Sequence, residues 1–296
     1  MTYKKKSFLL PPLMKGLLGI AAPGWRCNAL VSLAHGVFTL SGIRKKVALQ
    51  NMEKAFPETS KKWRRANLKR HYRHLSLSFG EYLILLKNPQ GIQDYMKLES
   101  PGENILDHLR DSKKGAVILT AHTGNWEMLA AWLAFQRYPM HAIVRRHEDE
   151  KTEAFVEGAR SAVGLHTISK NENMLKVLRL LKKGAFVGIL GDQYAGPEGI
   201  PLPLFGHETS CHFSPAALAL MADVPLVPVV SWRNAPFSHR VRVEEPLFMP
   251  SRDECSKKEI PRGEKITLLT EAGNLVLERW IRKHPEQWLW LHRRYR

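Results

Sequence analysis

Residues 115–128, with the sequence GAVILTAHTGNWEM, constrain the fold of this chain more than any other segment. Their first half, 116–119, is an uninterrupted apolar run, which is typical of a parallel strand covered on both faces. Thr123, Gly124 and Asn125 then supply residue types favoured in turns and at helix N-caps. The segment therefore predicts a buried strand, a tight turn and the start of a helix.

His122 and Glu127 lie on either side of this turn. On one continuous helix, five positions would separate them by roughly 140° of rotation, so a chain reversal is needed for them to converge. With the reversal, both side chains can reach the carboxyl edge of the sheet, where open α/β folds bind ligands. A neutral imidazole backed by a carboxylate can deprotonate an alcohol. In the alternative interpretation His122 only caps the strand and Glu127 only stabilises the helix N-terminus.

The rest of the chain alternates strand-like and helix-like segments. A helix is expected from Thr59 or Ser60 to Leu86, followed after the 115–128 segment by strands at 140–145, 166–169 and 185–190 with helices between them. This alternation predicts an α/β fold with a mainly parallel sheet flanked by helices. We expect one such domain over residues 44–296, because no linker or repeat interrupts it.

The N-terminal residues 1–43 are apolar and basic. Their apolar runs are shorter than the roughly 20 residues of a membrane-spanning helix. They are typical of membrane-associated helices that lie on a membrane surface with basic residues reaching the headgroups. The alternative is that they pack on the domain.

The balance of charge is strongly basic, with 45 Lys and Arg against 28 Asp and Glu and a net charge of +17. Nucleic acid, anionic lipid and an acidic protein all suit such a chain. Part of the excess lies in the first half of the helix predicted from Thr59 or Ser60, either as a solvated face or as a docking surface. These residues are Lys61, Lys62, Arg64, Arg65, Lys69, Arg70 and Arg73.

The sequence predicts neither a metal nor an organic cofactor. Cys27, Cys211 and Cys255 are too few and too scattered for a disulfide framework or a metal knuckle, and are expected to be free thiols. No glycine-rich motif for nucleotide phosphates follows a strand and opens a helix. Motifs of nucleic-acid-binding folds are also missing, so a basic nucleic-acid-binding protein is the weaker alternative.

The His122-Thr-Gly-Asn-Trp-Glu127 segment resembles the HxxxxE motif of the glycerolipid acyltransferase superfamily. In its full form it resembles the late acyltransferases of lipid A biosynthesis, the lauroyl and myristoyl transferases. Matching segments follow across most of the chain: 43–52, 55–58, 144–145, 191–193, 203–206 and 285–294.

The resemblance implies transfer of a fatty acyl chain from an acyl carrier protein thioester to a hydroxyl of a lipid A precursor. His122 would be the general base and Glu127 its orienting partner, with no acyl-enzyme. It also implies a place at the cytoplasmic face of the bacterial inner membrane. Another glycolipid acceptor, such as a phosphatidylinositol mannoside, stays open.

Four further residues are expected to bind substrate. The resemblance implies that Arg145 contacts a phosphate of the acceptor, although Arg146 or a purely structural surface arginine is the alternative. Asp192 ends the 185–190 strand at the same edge of the sheet and is followed by Gln193; a site role competes here with an Asx turn. Asn125 is expected mainly as an N-cap and secondarily as a substrate contact.

Overall fold

The structure is a computed structural model that describes residues 16, 24–99, 105–144, 150–170, 172–250 and 260–295. Three of the residues considered above, Arg145, Arg146 and Cys255, lie outside the described residues. Residues 1–15 and 17–23 of the basic and apolar N-terminal segment also lie outside the described residues.

The elements alternate along the chain much as the sequence predicts. The helices are α1 (Trp25–Ser41), α2 (Lys45–Ala55), α3 (Lys61–Lys87), α4 (Ile92–Tyr95), α5 (Ile105–Asp111), α6 (Trp126–Phe135), α7 (Glu150–Ala162), α8 (Met174–Lys182), α9 (Ser214–Ala222) and α10 (Arg262–Lys283). The strands are β1 (Met96–Leu98), β2 (Ala116–Thr120), β3 (Met140–Val144), β4 (His166–Ser169), β5 (Phe186–Leu190), β6 (Ile200–Leu204), β7 (His207–Cys211), β8 (Leu226–Ala235) and β9 (Ser238–Val243).

The main sheet has seven strands in the order β1-β9-β8-β2-β5-β3-β4. Strands β8, β2, β5, β3 and β4 are parallel, whereas β9 runs antiparallel to β8 and carries β1 beside it. The prediction of a mainly parallel sheet is therefore confirmed, with an antiparallel edge added. The hairpin β6–β7 forms a separate small sheet and was not predicted.

Strand β2 lies in the middle of the sheet and is covered on both faces. Val117 and Leu119 belong to one buried cluster, which also contains Trp288 and Trp290. Ala116 and Ile118 belong to a second cluster on the opposite face, together with residues of α6. This double burial explains the uninterrupted apolar run, because neither face of the strand contacts water.

Helix α3 begins and ends close to the predicted positions. The Ser60 hydroxyl accepts a hydrogen bond from the Trp63 amide, which caps the first turn, and the helix ends at Lys87 before Asn88 and Pro89. The predicted basic face needs one correction. Arg64 is buried and forms a 2.9 Å ion pair with Glu53 of α2, because its position faces the neighbouring helix and not solvent.

Helix α1, from the predicted membrane-associating segment, packs one face against α3. Cys27 and Val31 are buried against Leu77, Leu83 and Ile84. Its outer face leaves large apolar side chains in solvent, namely Trp25, Leu33, Val37 and Leu40. Within the part of the chain that the structure describes, no helix is both long enough and apolar enough to span a bilayer.

Candidate active site

The register of the two central strands brings His122 and Asp192 together. Thr120 at the end of β2 pairs with Leu190 at the end of β5. His122 lies two positions after Thr120, and Asp192 lies two positions after Leu190. The His122 Nδ1 atom lies 2.9 Å from the Asp192 Oδ1 atom. Asp192 is 3% exposed, so its carboxylate is almost sealed from water.

The other imidazole nitrogen faces the neighbouring residue of the same loop. His122 Nε2 lies 3.3 Å from the Gln193 Nε2 atom, which can only donate. The ionised Asp192 carboxylate can only accept, so it fixes the proton of the neutral ring on Nδ1. His122 Nε2 is thereby left as an acceptor, which is the form a general base requires.

The charges around this pair oppose the effect of burial. Burial disfavours the imidazolium, but the Asp192 charge and hydrogen bond, with a smaller contribution from Glu127, raise the pKa of His122 above its usual value. Burial likewise disfavours the Asp192 carboxylate, but His122 and the Trp288 indole together lower its pKa to about 2. Asp192 is therefore ionised at neutral pH.

Glu127 occupies a different position from the one expected. The carboxylate that contacts His122 is Asp192, whereas Glu127 pairs with Arg160 of α7 through Nη2–Oε1 and Nη2–Oε2 distances of 3.3 and 3.2 Å. Glu127 lies in the first turn of α6 and faces α7, so its side chain influences His122 by charge and not by contact. The expectation that Glu127 orients the ring by hydrogen bonding is corrected accordingly.

An apolar cavity of about 60 Å³ opens beside the pair, between the sheet and helices α6 and α7. Trp126, Glu127 and Arg160 line it near the carboxyl edge of the sheet, and the Trp126 ring lies 5.1 Å from the His122 ring. Its inner walls come from Leu133, Met140, Ala142, Leu165 and Gly188. Trp126 therefore connects the His122 imidazole to one end of a narrow apolar slot.

A family comparison decides what kind of protein carries this arrangement. The model of the family described as bacterial lipid A biosynthesis acyltransferase matches residues 13–296. The chain belongs to this family. It is therefore an enzyme that transfers acyl groups.

Individual relatives are distant, and the two from Escherichia coli match over most of the chain. The lipid A biosynthesis lauroyltransferase of Escherichia coli is 25% identical over 259 residues, which is 86% of this chain and 79% of the relative. The lipid A biosynthesis palmitoleoyltransferase of the same organism is 23% identical over 257 residues, with the same shares of the two chains. The phosphatidylinositol mannoside acyltransferase of Mycolicibacterium smegmatis is 26% identical over 135 residues, 43% of this chain and 44% of its own.

The turn between β2 and α6 in this acyltransferase is fixed by close contacts. Gly124 has a φ of +58°, and a Cβ there would lie 2.3 Å from the Ser231 carbonyl oxygen. The His74 Nε2 atom donates to the Gly124 carbonyl at 2.9 Å. Asn125 is the N-cap of α6, as predicted, and its amide nitrogen contacts Ser78 and Glu81 of α3. These interior contacts occupy the Asn125 side chain.

Behind the turn, α3 and β8 share a buried ion pair. Arg233 Nε and Nη2 donate to the two Glu81 oxygens at 3.0 and 2.6 Å, and the same guanidinium contacts His74. His239 also contacts Glu81, at 3.0 Å. Removing one partner of such a pair leaves an uncompensated buried charge, so the acyltransferase depends on the whole network to hold the turn.

Of the predicted site residues, His122, Asp192 and Gln193 are in contact, Glu127 lies at the mouth of the cavity and Asn125 lies inside the fold. Arg160, Trp126 and Trp288 were not predicted as site residues. Arg160 had a usable signal, since it lies four residues after the buried Val156 on the same face of α7. An arginine on the buried face of a helix needs a partner, which here is Glu127.

Proposed function

We propose that this acyltransferase moves a fatty acyl chain from an acyl carrier protein thioester to a hydroxyl of a lipid A precursor. The observation that carries the proposal is the His122–Asp192 pair beside an apolar cavity, in a chain that belongs to the lipid A acyltransferase family. A base beside a hydrocarbon slot suits a reaction that joins a fatty acyl group to an alcohol.

In the proposed mechanism His122 acts as a general base. The acceptor hydroxyl replaces Gln193 at His122 Nε2 and gives up its proton as its oxygen attacks the thioester carbonyl carbon. The tetrahedral intermediate collapses, the carbon–sulfur bond breaks, and the imidazolium returns the proton to the leaving thiolate. Asp192 stabilises the transient imidazolium and keeps the ring oriented. No acyl-enzyme forms.

The apolar cavity is the proposed site of the donor acyl chain. It runs from the level of Thr120 at the carboxyl edge down to Met140, whose partner in the sheet is Phe186. Four residues of strand correspond to about 13 Å. The Thr120 hydroxyl lines this slot near His122 and has no hydrogen-bond partner among the described residues. It can donate to the thioester carbonyl where the chain emerges.

Glu127 and Arg160 form a charged rim around this cavity. In the proposal Arg160 holds the Glu127 side chain in place, and Glu127 adds negative charge that favours the imidazolium of His122. Arg145, which follows β3 directly and lies outside the described residues, keeps its proposed role as a phosphate contact. Together these groups would hold the polar part of the substrates while the hydrocarbon enters the slot.

The partners of the enzyme are proposed from its surface. Lys61, Lys62, Arg65 and Lys69 on α3 are exposed and offer a basic face to an acidic carrier protein. The exposed apolar residues of α1 offer a surface for membrane association. These features support a place at the cytoplasmic face of the bacterial inner membrane, where an anionic glycolipid acceptor would be reached.

A second acceptor is kept because the phosphatidylinositol mannoside acyltransferases match 43% of this chain. Lipid A and such a mannoside share a sugar headgroup that carries phosphate and fatty chains. The same base and slot would serve either, so the acceptor must be identified by experiment.

Mass spectrometry of glycolipids from the producing bacterium tests the proposal. Cells lacking the gene should contain lipid A that is lighter by one acyl chain, and the wild-type gene should restore the mass whereas His122→Ala should not. A change confined to phosphoinositide glycolipids would identify the second acceptor. Unchanged masses in both lipid classes would overturn the proposal.

A further inference from the structure

The C-terminal strap, residues 285–295, closes the edge of the sheet at the active site. Trp288 forms an isolated antiparallel bridge with Thr123, and the Leu289 amide donates to the His122 carbonyl at 2.9 Å. Gln287 is held to the backbone of Arg233 by two hydrogen bonds of 2.7 and 2.8 Å. The strap thus adds a length of extended backbone directly beside the catalytic turn.

One side chain of the strap reaches the catalytic pair. The Trp288 Nε1 atom donates to Asp192 Oδ2 at 2.7 Å, while His122 Nδ1 donates to Oδ1 at 2.9 Å. Both oxygens of this sealed carboxylate are therefore held by a donor. Trp288 itself is 2% exposed, so water does not compete for its indole N–H.

We propose that Trp288 is a positioning residue: its indole N–H holds the Asp192 carboxylate in the rotamer that meets His122 and partly neutralises the charge of that carboxylate. This inference rests on the proposed role of His122 as general base. The competing interpretation is that Trp288 only fills the core, where it packs against Phe205 and Trp290.

The two interpretations differ in whether the pKa of His122 responds to the loss of the indole N–H. The indole N–H brings a partial positive charge close to the Asp192 carboxylate. It therefore reduces the net attraction between that carboxylate and the imidazolium of His122. Removing the N–H should raise the pKa of His122 further in molecules that keep the Asp192 contact. The carboxylate also becomes freer to rotate, which should reduce the fraction of molecules with this contact and therefore kcat. Besides Asp192, the titratable groups whose charges act on His122 among the described residues are Glu127 and His212, and Trp288→Phe leaves both in place.

The test compares Trp288→Phe with Trp290→Phe. Trp290 is fully buried in the same strap, and its indole N–H donates to the Pro285 carbonyl at 2.5 Å instead of to the active site. Each variant loses one buried indole N–H and keeps an aromatic ring. A purely structural role therefore predicts similar effects for the two variants.

The measurement is the pH profile of kcat for acyl transfer, with a fatty acyl–acyl carrier protein and lipid extract from cells lacking the gene. Trp288→Phe should lower kcat about 10- to 100-fold, as expected for a lost hydrogen bond to a charged group. It should also move the acidic limb to higher pH by up to about one unit. Trp290→Phe should leave that midpoint in place.

A second readout does not depend on turnover. The His122 ring of isotope-labelled protein is titrated by NMR, and its midpoint should rise in Trp288→Phe and stay unchanged in Trp290→Phe. A midpoint in Trp288→Phe that is equal to or below that of the wild type would overturn the inference, and so would equal losses of kcat in the two tryptophan variants. Full turnover by His122→Ala would instead refute the proposed base, while the titration would still report whether Trp288 acts on His122.

Discussion

At the scale of single residues, the proposed mechanism depends on which carboxylate hydrogen-bonds the His122 imidazole. The observed register of β2 and β5 favours Asp192, which lies as far beyond the end of β5 as His122 lies beyond the end of β2. The sequence pointed to Glu127 through the chain reversal after His122 and the resemblance to the HxxxxE motif, and Asp192 was expected at the same edge only as a substrate contact. The contact from Trp288 was beyond reach, since it joins positions 96 residues apart through the path of the strap.

Asp192→Asn should lower kcat more than Glu127→Gln. Of these two carboxylates only Asp192 hydrogen-bonds the imidazole, and its amide replacement can present the wrong group to Nδ1, so a loss of about 10²- to 10⁴-fold is expected. The acidic limb of the pH profile should also move to lower pH, because Asp192 raises the pKa of His122. Steady-state kinetics of both variants, with Glu99→Gln as a surface control, checks this. Equal losses at Asp192 and Glu127 would contradict it.

Direct transfer predicts that no cysteine carries the acyl group. Cys27 and Cys211 are buried, and Cys211 contacts Arg294 and Asn274 in the interior. Replacing Cys27, Cys211 and Cys255 together by Ala should leave kcat within about tenfold of wild type once the loss of stability is corrected. Intact-protein mass after incubation with donor alone should show no acyl adduct. An adduct that survives denaturation and disappears in this variant would refute direct transfer.

At the scale of elements, most segments with a clear apolar pattern were predictable, and several elements without one were not. Helix α3 carries an apolar pattern and an N-cap, and strands β2 and β5 carry apolar runs. The hairpin β6–β7 contains Pro201 and Pro203, which argue against a strand, yet each is exposed in this two-stranded ribbon where the missing amide is tolerated. The polar interior face of α3 was also missed, because buried groups such as His74 and Glu81 look like surface residues in a sequence.

The slot between the sheet and α6 should set the length of the donor chain. Gly188 is in the middle of β5, and a Cβ there would lie 3.3 Å from the Met140 Cε atom inside the slot. Gly188→Ala should therefore shift donor preference to shorter chains and Met140→Ala to longer ones. Competition between carrier-protein donors of different length, read by product mass, tests this; Gly263→Ala, where a Cβ meets nothing within 4 Å, is the control. Unaltered preference in both slot variants would place the chain elsewhere.

The exposed face of α3 should govern encounter with the acidic donor and not the chemical step. Reversing Lys61, Lys62 and Arg65 to Glu should raise KM for acyl carrier protein and weaken its salt dependence, with kcat nearly unchanged. Arg64 is omitted because its burial would confuse folding with docking. The control reverses the charge of three exposed lysines that lie just before the amino ends of β2 and β5: Lys113, Lys182 and Lys183. The same response of KM to salt in both triple variants would remove α3 as the docking face.

At the scale of the whole molecule, buried histidines should make the fold sensitive to acid. His71 is fully buried and donates from Nδ1 to the Glu286 carbonyl, and burial lowers its pKa to about 4. Between pH 6.5 and about 4, His71 is protonated in the unfolded chain, where its pKa is about 6.5, but stays neutral in the native state. Stability should therefore fall as the pH drops from 6.5 towards 4, by about 3 kcal/mol from this group.

Denaturant unfolding at several pH values measures that effect. The free energy of unfolding should decrease more steeply between pH 6.5 and 4 in the wild type than in His71→Gln, which cannot take up the proton. His108→Gln is the matched control, because that histidine is exposed in the middle of α5. A slope that His71→Gln leaves unchanged would assign the acid sensitivity to other groups.

The most direct test of the central claim is the mass of a glycolipid acceptor after incubation with purified protein. The acceptor is lipid A precursor from cells lacking the gene, and the donor is a fatty acyl–acyl carrier protein. Wild-type protein should add the mass of one acyl chain to the acceptor, and His122→Ala should add it at least about 100-fold more slowly. The account is contradicted if the wild type leaves the acceptor unchanged, or if His122→Ala acylates it at the wild-type rate.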